Sequence, residues 1–301
     1  MEINQANLRN LFVAYRSNFQ SGLGQAASQY LQIATEVPST TGETDFGWLG
    51  QLPDMREWIG DRVVHGIGTH DYSIKNREFE LTIGVKRKTI EDDQFGVYAP
   101  MFVEMGRSAA AHPDRLVFEL LTNGRSMSCY DGKPFFATNH PVLNEKGKAE
   151  AMSNVDDDGT GPSWYVMDTS RALKPLIFQN RKAPNFVAKD KETDDNVFDK
   201  GEFKYGTDRR GNAGFGFWQL AQACDKELNA ENLEAQITTL GSRTGDHGRP
   251  LGISANLLVV APRYEFKAAR LVESENLAVA GGTESNPLKG RLKVLVAPWL
   301  K

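Results

Sequence analysis

The chain has 301 residues, with 35 basic and 39 acidic side chains and a formal net charge of −4. This balance argues against tight, nonspecific binding to phosphate backbones, which clustered Lys and Arg drive. No apolar run reaches the roughly eighteen residues of a membrane-spanning helix, and the amino terminus lacks the charged and apolar regions of a secretory signal. The sequence therefore predicts a protein made and assembled in the cytoplasm.

Residues 1–43 begin with a short helical pattern that places Leu8, Leu11 and Tyr15 on one face. A polar segment rich in Gly, Ser, Gln and Thr follows. The pattern allows a first helix docked on its own domain or an arm that lies across a neighbouring subunit. The arm is favoured, because short polar termini are usually loose unless something holds them.

Residues 44–90 show the two-residue period of half-buried strands, from Tyr72 through Phe79 to Val85. Upstream, Trp48 and Trp58 lie among Gly and Pro residues that forbid a long regular element. A lone hairpin is marginal in water, so its aromatic faces predict a partner subunit. The side chains expected to be buried against a neighbouring subunit are Trp48, Trp58, Tyr72 and Phe79.

Residues 91–125 follow with a mostly helical pattern that Pro113 divides. Proline suits the first position of a helix and breaks an interior hydrogen bond. The sequence therefore predicts one helix that ends near Ala111 and another from Pro113 to Thr122, together a spine of roughly 40 Å. Gly50, Gly60 and Pro113 are candidate hinges.

From residue 126 to about 204 the pattern is irregular, with frequent turn signals. Residues 189–210 are highly charged and are interpreted as a solvated loop or hairpin face. The other predicted elements are strands at 164–167, 176–178, 257–260 and 292–296 and helices at 215–228, 231–240 and 262–274.

Four motifs, in this order, carry a resemblance that covers nearly the whole chain. They are FGWLG at 46–50, EWIG at 57–60, DTSR at 168–171 followed by LKP at 173–175, and GNAGFGFWQ at 211–219. Together they resemble the major head subunit family of Mu-like phages.

The resemblance implies an α+β chain with the Hong Kong 97-type tailed-phage major capsid fold. In that layout residues 1–43 are the N-terminal arm, 44–90 the extended β-hairpin loop and 91–125 the spine helix of the peripheral domain. Residues 126–290 are mainly the axial domain with returning peripheral segments, and 291–301 form a C-terminal strand. The implied function is a major capsid protein, not an enzyme.

In that role the chain self-assembles as pentamers and hexamers into an icosahedral virion shell that encloses double-stranded DNA, built in the host bacterial cytoplasm. The implied partners are other copies of the chain, a scaffold protein, a portal and a decoration protein, with no cofactor and no membrane. Three alternatives are a nanocompartment shell of the encapsulin kind, a tail tube or sheath protein, and a thiol hydrolase using Cys129.

Candidate chemical sites are few. Asn154, Asp156, Asp158 and Gly159 match the first half of a calcium loop, but Tyr165 stands where the loop needs a bidentate Glu. The glycines at 211–216 have the wrong spacing for a phosphate loop and are interpreted as a flexible turn. The sequence predicts no metal site and no cofactor site.

Two further groupings have a plainer interpretation. Cys129 with His140, and with Asp131 as a third member, could form a nucleophile and base, but no catalytic motif surrounds them. Cys129 and Cys224 are expected to be reduced and buried. Lys75 and Asn76 could take part in a cross-link between subunits and are interpreted as a polar turn.

Overall fold

The computed structural model describes residues 2–47, 49, 72–92, 95–159, 161–279 and 282–300. The helices are α1 (Gln5–Gln25), α2 (Arg87–Glu91), α3 (Ala99–Thr122), α4 (Asp195–Lys200), α5 (Ala230–Gly241) and α6 (Glu265–Glu273). The strands are β1 (Ala34–Pro38), β2 (Glu43–Asp45), β3 (Ser73–Lys75), β4 (Arg77–Lys86), β5 (His140–Leu143), β6 (Ala149–Met152), β7 (Val155–Asp156), β8 (Trp164–Met167), β9 (Leu176–Lys189), β10 (Glu202–Phe215), β11 (Ala221–Cys224), β12 (Leu257–Val260), β13 (Asn276–Val279), β14 (Gly282–Ser285) and β15 (Lys293–Val296). None of the described helices has the length and hydropathy of a membrane span.

A four-stranded sheet has the order β1-β9-β10-β4 and is built on two long antiparallel strands, β9 and β10, of 14 residues each. Of the two interpretations of residues 189–210, a solvated loop is wrong for the second half, which forms a hairpin strand, β10, with Phe203 and Tyr205 fully buried on one face. The predicted turn at 211–216 is also wrong: Gly211 to Phe215 complete the strand. Charge on the exposed face hid the two-residue period of these strands from the sequence pattern.

The alternating segment before residue 88 forms β4, as its pattern predicted, but its partner is distant in sequence. β4 pairs antiparallel with β10, from Glu202 opposite Lys86 to Gly211 opposite Arg77. The strand therefore belongs to the main sheet. At the base of the predicted hairpin loop, β2 pairs antiparallel with β3. Trp48, Trp58, Gly50 and Gly60 lie outside the described residues.

A second sheet of five strands has the order β15-β12-β8-β11-β7. All residues of β8, β11 and β12 are buried, which confirms the predicted strands at 164–167 and 257–260. The predicted helix at 215–228 is wrong, since Ala221–Cys224 form β11. A short apolar run that is buried on both faces has no period that separates strand from helix.

The first helix lies on its own chain. Leu8, Leu11, Tyr15 and Phe19 are buried in a cluster with residues of α3 and of the four-stranded sheet. At the crossing of α1 and α3, a Cβ built on Gly22 would collide with the Val103 carbonyl oxygen. The structure therefore corrects the arm interpretation for residues 5–25 in favour of a docked helix.

The spine is one continuous helix, α3, with Pro113 inside it. The predicted break at Pro113 is wrong, because the described helix continues through it, whereas the role of Pro113 as a hinge stays a prediction. A proline at this position leaves the carbonyl of Ala109 without its helical N–H donor. Arg209 on β10 supplies a replacement, because its Nη1 donates to the Ala109 oxygen at 3.4 Å. A contact between distant parts of the chain thus offsets the local breaker.

Candidate assembly surface

The outer edge of β4 is the most extended unpaired surface of the described chain. β4 has ten residues and lies at one end of the sheet order, with β10 on its inner side. No other described strand pairs with its outer side. The backbone N–H and C=O groups along such an edge form a ready template for another strand.

A groove of about 640 Å³ lies beside this edge, between β4, α3, β10 and Trp299 near the carboxyl terminus. Its apolar side chains include Phe79, Leu81 and Trp299, of which Leu81 is 37% and Trp299 41% exposed. Both signs of charge line it, with Glu104 and Arg107 on the helix. We call β4 and this groove the edge surface. Its mixture of apolar and charged groups resembles a protein interface more than a small-molecule cavity.

The edge surface also contains polar atoms that lack partners within the described chain. Both ring nitrogens of His112, Thr207 Oγ1 and Arg209 Nε are buried and make no hydrogen bond. Burial, followed by the charges of Arg115, Arg209 and Arg77, lowers the pKa of His112 to about 4. Buried polar groups in native proteins usually have partners. These atoms lie beneath the groove, beside the unpaired edge of β4.

Two of the predicted interface side chains are described, and their surroundings differ. The hydroxyl oxygen of Tyr72 accepts the Phe215 N–H at 2.6 Å, and burial raises the pKa of Tyr72 to about 12. Tyr72 is thus engaged in its own chain. Phe79 is half-buried and meets the His112 ring at 4.2 Å between centroids, on the groove wall. Phe79 therefore lies at the edge surface, and its predicted burial against a neighbouring subunit stays a prediction.

Two phenylalanines project elsewhere. Phe198 on α4 is 84% exposed and Phe266 on α6 is 72% exposed. Each lies in a charged stretch of sequence, so neither was singled out by the hydrophobic pattern. Their exposure marks α4 and α6 as secondary candidate contact points, although single exposed apolar residues are common.

The structure brings Cys129, Asp131 and His140 together. The Cys129 thiol donates to Asp131 Oδ1 at 3.1 Å, and His140 Nδ1 lies 2.6 Å from Asp131 Oδ2. Burial, and then the Asp131 charge, raises the pKa of Cys129. The carboxylate stands between thiol and imidazole, so the histidine cannot take the thiol proton directly. This order contradicts the thiol hydrolase alternative.

The other candidate sites are structural. Asn154 is buried, and its Oδ1 accepts the Ala137 N–H at 2.9 Å. Asp156 accepts from Gln236 at 2.6 Å and pairs with Lys226 at 2.6 Å, so these two positions of the partial calcium loop do not converge. Asn76 Nδ2 donates to the Thr41 carbonyl at 2.8 Å, which fits a polar turn.

The motifs that carried the resemblance have internal structural roles. Asp168 is buried, accepts the Ser170 N–H at 3.0 Å and the Ser254 N–H at 3.1 Å, and so ties the end of β8 to the segment before β12. Trp218 is buried in the core, stacked at 4.0 Å on His140. The groove residues His112 and Trp299 were not identified as a site from sequence, and only the packing of α3 against β4 could reveal them.

Comparison with known proteins gives a consistent result. The sequence model of the family described as Mu-like prophage major head subunit gpT matches residues 8–300. The major capsid protein of Escherichia phage Mu is 42% identical over 305 residues, covering 100% of both chains. A procapsid structure of bacteriophage JBD30 has a TM-score of 0.86 and 46% identity over 99% of this chain and 100% of that chain. A JBD30 capsid decorated with minor capsid protein trimers has a TM-score of 0.78 and 35% identity over 94% of each.

Proposed function

Because the chain belongs to the family of Mu-like prophage major head subunits, we propose that it assembles as pentamers and hexamers into an icosahedral phage shell that encloses double-stranded DNA. The chain is a capsid subunit by family, and that family is structural, not a class of enzymes. The match over nearly the full length is the observation that carries this assignment. It favours the phage head over a nanocompartment shell.

The fold proposed for this role is the Hong Kong 97-type arrangement, with α3 as the spine of the peripheral domain. The extended loop is proposed within residues 44–90, of which β4 joins the main sheet. Two separate hydrophobic clusters support a division of the chain. One joins α1, the first half of α3 and one end of the four-stranded sheet, and the other joins the rest of α3 to the five-stranded sheet. Residues 126–290 supply most of the second, which is the proposed axial part, and 291–301 close it.

The proposed contact between subunits is the edge surface, and its proposed occupant is a second copy of the chain. Two observations support a protein partner there: a ten-residue strand edge and the exposed apolar side chains Leu81 and Trp299. Backbone pairing supplies affinity and side-chain pockets supply register in this type of contact. Trp48 and Trp58 remain proposed anchors from the loop.

The remaining partners follow from the same role. A scaffold protein, a portal and a decoration protein would act with the shell, and the minor capsid trimers on the JBD30 capsid support the last of these for this chain. The net charge of −4 is consistent with DNA that is enclosed without tight adhesion. The proposed location is the virion, after assembly in the host bacterial cytoplasm.

The first test is the assembly state of the chain expressed alone. Light scattering gives the mass, and negative-stain electron microscopy gives the shape. Closed shells, or rings of five and six subunits, are expected, alone or after coexpression with a scaffold protein. Helical tubes, or a monomer that persists with the scaffold over a range of salt and concentration, would contradict the proposal.

The edge surface is tested by a matched pair of substitutions on β4. Leu81→Lys places a charge in the groove, and Thr82→Lys places the same charge on the opposite face of the same strand. Both side chains are exposed, so both variants should fold as monomers with nearly unchanged stability. We expect shell yield to fall at least about tenfold for Leu81→Lys relative to Thr82→Lys. Equal yields would remove the edge surface as a contact.

Trp58→Ala provides an independent test of the loop. Assembly should fail before monomer folding does, because the proposed contact of this side chain lies in a neighbouring subunit. Normal shells of normal stability would show that Trp58 is not an interface anchor.

A further inference from the structure

The Cys129, Asp131 and His140 cluster unites three of the side-chain types that bind zinc. One donor atom from each residue lies within 4.8 Å of the other two. Among the residues that the structure describes, no other group of His, Cys, Asp and Glu converges in this way. His140 and Cys129 are buried, at 0% and 4% exposure, and Asp131 is a half-buried residue whose side chain is 7% exposed. The cluster is thus a preformed internal site and not a patch of surface acids.

The supporting elements hold the cluster in place. Cys129 and Asp131 lie on a tight turn, in which the Cys129 N–H donates to the Lys133 carbonyl at 2.8 Å and the Lys133 N–H donates to Asp131 Oδ1 at 2.9 Å. His140 begins β5 and stacks on Trp218. Donor groups on fixed elements lose little freedom on binding a ligand.

Asn154 fixes which nitrogen of His140 faces the cluster. Asn154 Oδ1 accepts the Ala137 N–H at 2.9 Å, and its Nδ2 donates to the Phe135 carbonyl at 2.7 Å, so the amide orientation is set by the backbone. His140 Nε2, at 3.2 Å from the same Oδ1, must therefore carry a proton. Nδ1 is left to face Asp131. Metal-binding histidines typically donate their other N–H to an oxygen in this way.

We propose that Cys129 Sγ, Asp131 Oδ2 and His140 Nδ1 form a binding site for a divalent transition-metal ion, with Zn²⁺ as the best match. The ion replaces two protons, one on the thiol and one between Nδ1 and the carboxylate. Two positive charges leave and two arrive, so the charge of the buried site is unchanged. Thiolate, imidazole and carboxylate are the ligands that zinc prefers, and water fills the fourth position.

The distances permit this exchange with a small movement. Ligand atoms around tetrahedral zinc lie roughly 3.5 Å apart, given bond lengths of about 2.0–2.3 Å. At present His140 Nδ1 lies 2.6 Å from Asp131 Oδ2 and Cys129 Sγ lies 3.1 Å from the other carboxylate oxygen, Oδ1, with one ligand atom of each residue within 4.8 Å of the other two. The Asp131 carboxylate would therefore retreat by roughly 0.5–1 Å, which a side-chain rotation provides.

Metal binding by the purified full chain tests the proposal. After loading with Zn²⁺ and dialysis, elemental analysis should find about one zinc per chain. Co²⁺ in place of zinc should give thiolate-to-cobalt charge-transfer absorption, which reports a sulfur ligand directly. Cys129→Ser should abolish that absorption and weaken zinc binding by more than the roughly 10–100-fold that loss of a supporting partner costs. Asp131→Asn, which can keep the turn, should weaken binding without abolishing the absorption.

Cys224→Ala is the matched control, because Cys224 is the other buried thiol and lies outside the cluster. This variant should bind zinc and cobalt as the wild type does. Circular dichroism establishes that each variant is folded before the metal is added. The proposal would be overturned if the folded wild type showed no charge-transfer absorption, or if Cys129→Ser kept it. Unchanged zinc affinity in Asp131→Asn would likewise overturn the role of Asp131 as a ligand. The result is independent of shell assembly.

Discussion

The five-stranded sheet and the edge surface differ in how completely residues of the same chain bury their side chains and supply their hydrogen-bond partners. Trp164 of β8 and Trp218, three residues before β11, are fully buried, and the Trp164 indole N–H donates to the Lys226 carbonyl at 2.8 Å. At the edge surface, Trp299 is 41% exposed and the ring nitrogens of His112 have no partner. The first region is enclosed by its own chain, whereas the second contains a strand edge with which no described strand pairs. A shell subunit requires both a well-packed core and a surface that can bind a neighbouring subunit.

Two tryptophans provide the largest expected contrast. Trp218→Ala removes a side chain that is 1% exposed and stacked on His140, so the free energy of unfolding should fall by about 3–5 kcal/mol. Trp299→Ala should change it by no more than about 0.5 kcal/mol and reduce assembly instead. Urea unfolding of the two variants, with light scattering of the assembled products, measures both effects. A large loss of monomer stability in Trp299→Ala would show that Trp299 acts in the core of its own chain, as Trp218 does.

The close crossing of α1 and α3 provides a second test of stability within one chain. A Cβ on Gly106 would collide with the Phe19 carbonyl oxygen across the α1–α3 contact. Gly106→Ala should therefore cost about 1–3 kcal/mol in unfolding free energy. Gly24→Ala is the control, because Gly24 lies in α1, the other helix of this crossing, and has open space around its Cα. That substitution should be neutral or stabilise by about 0.5–1 kcal/mol, and equal effects at the two sites would contradict the close crossing.

The unpartnered His112 predicts a pH dependence. Its pKa in the folded chain is about 4, below the ordinary 6.5, so the unfolded chain binds the proton more tightly. The free energy of unfolding should fall as the pH is lowered from about 6.5 towards 4. Because the ring is only partly buried, the loss should be about 1–2 kcal/mol, less than the full shift implies.

Substitution isolates the contribution of this histidine. His112→Leu should remove the loss between pH 7 and pH 4.5 that His112 causes, measured by denaturant unfolding against the wild type. His247→Asn, at an exposed histidine with φ of 61°, should leave the pH dependence unchanged. If the free energy of unfolding depends on pH equally in the wild type and in His112→Leu, other groups produce that dependence.

The smallest expected effect concerns the proline in the spine. Arg209→Met removes the donor to the Ala109 carbonyl and should cost about 1 kcal/mol. In a Pro113→Ala background the new N–H can serve that carbonyl, so the cost should shrink by about 0.5 kcal/mol or more. Arg210→Met, next along the strand with a partly exposed ion pair to Glu78, serves as the control and should show no such coupling. Additive effects of Arg209 and Pro113 would contradict the compensation.

Local patterns predicted much of this fold, and distant contacts account for most errors. Alternation from Tyr72 to Val85 predicted β4, but nothing near it indicated that β10 was its partner. Pro113 was interpreted as a break because Arg209 lies 96 positions later in the sequence. The strand at Ala221–Cys224 was missed because burial on both faces erases the two-residue period.

The candidate sites follow the same division. The strand pattern gave the face of β4 on which Phe79 lies, since side chains alternate along a strand, but the burial of Phe79 against a neighbouring subunit stays a prediction. His112 was placed at a helix boundary, and its isolation in the groove depends on how α3 packs against β4. The sequence suggested a grouping of Cys129, Asp131 and His140 as a nucleophile and base. The sequence could not give the order of the three groups, with Asp131 between the others, because that order depends on how the turn at Cys129 packs against β5.

Amide hydrogen exchange of β4 tests the central claim most directly. The account predicts that backbone amides between Arg77 and Lys86 that point away from β10 exchange slowly in assembled shells and rapidly in the free subunit. Amides of β12, Leu257–Val260, should be equally protected in both states, because that strand is buried within one chain. Equal exchange of β4 in shells and free subunits would show that the edge surface does not bind a second copy.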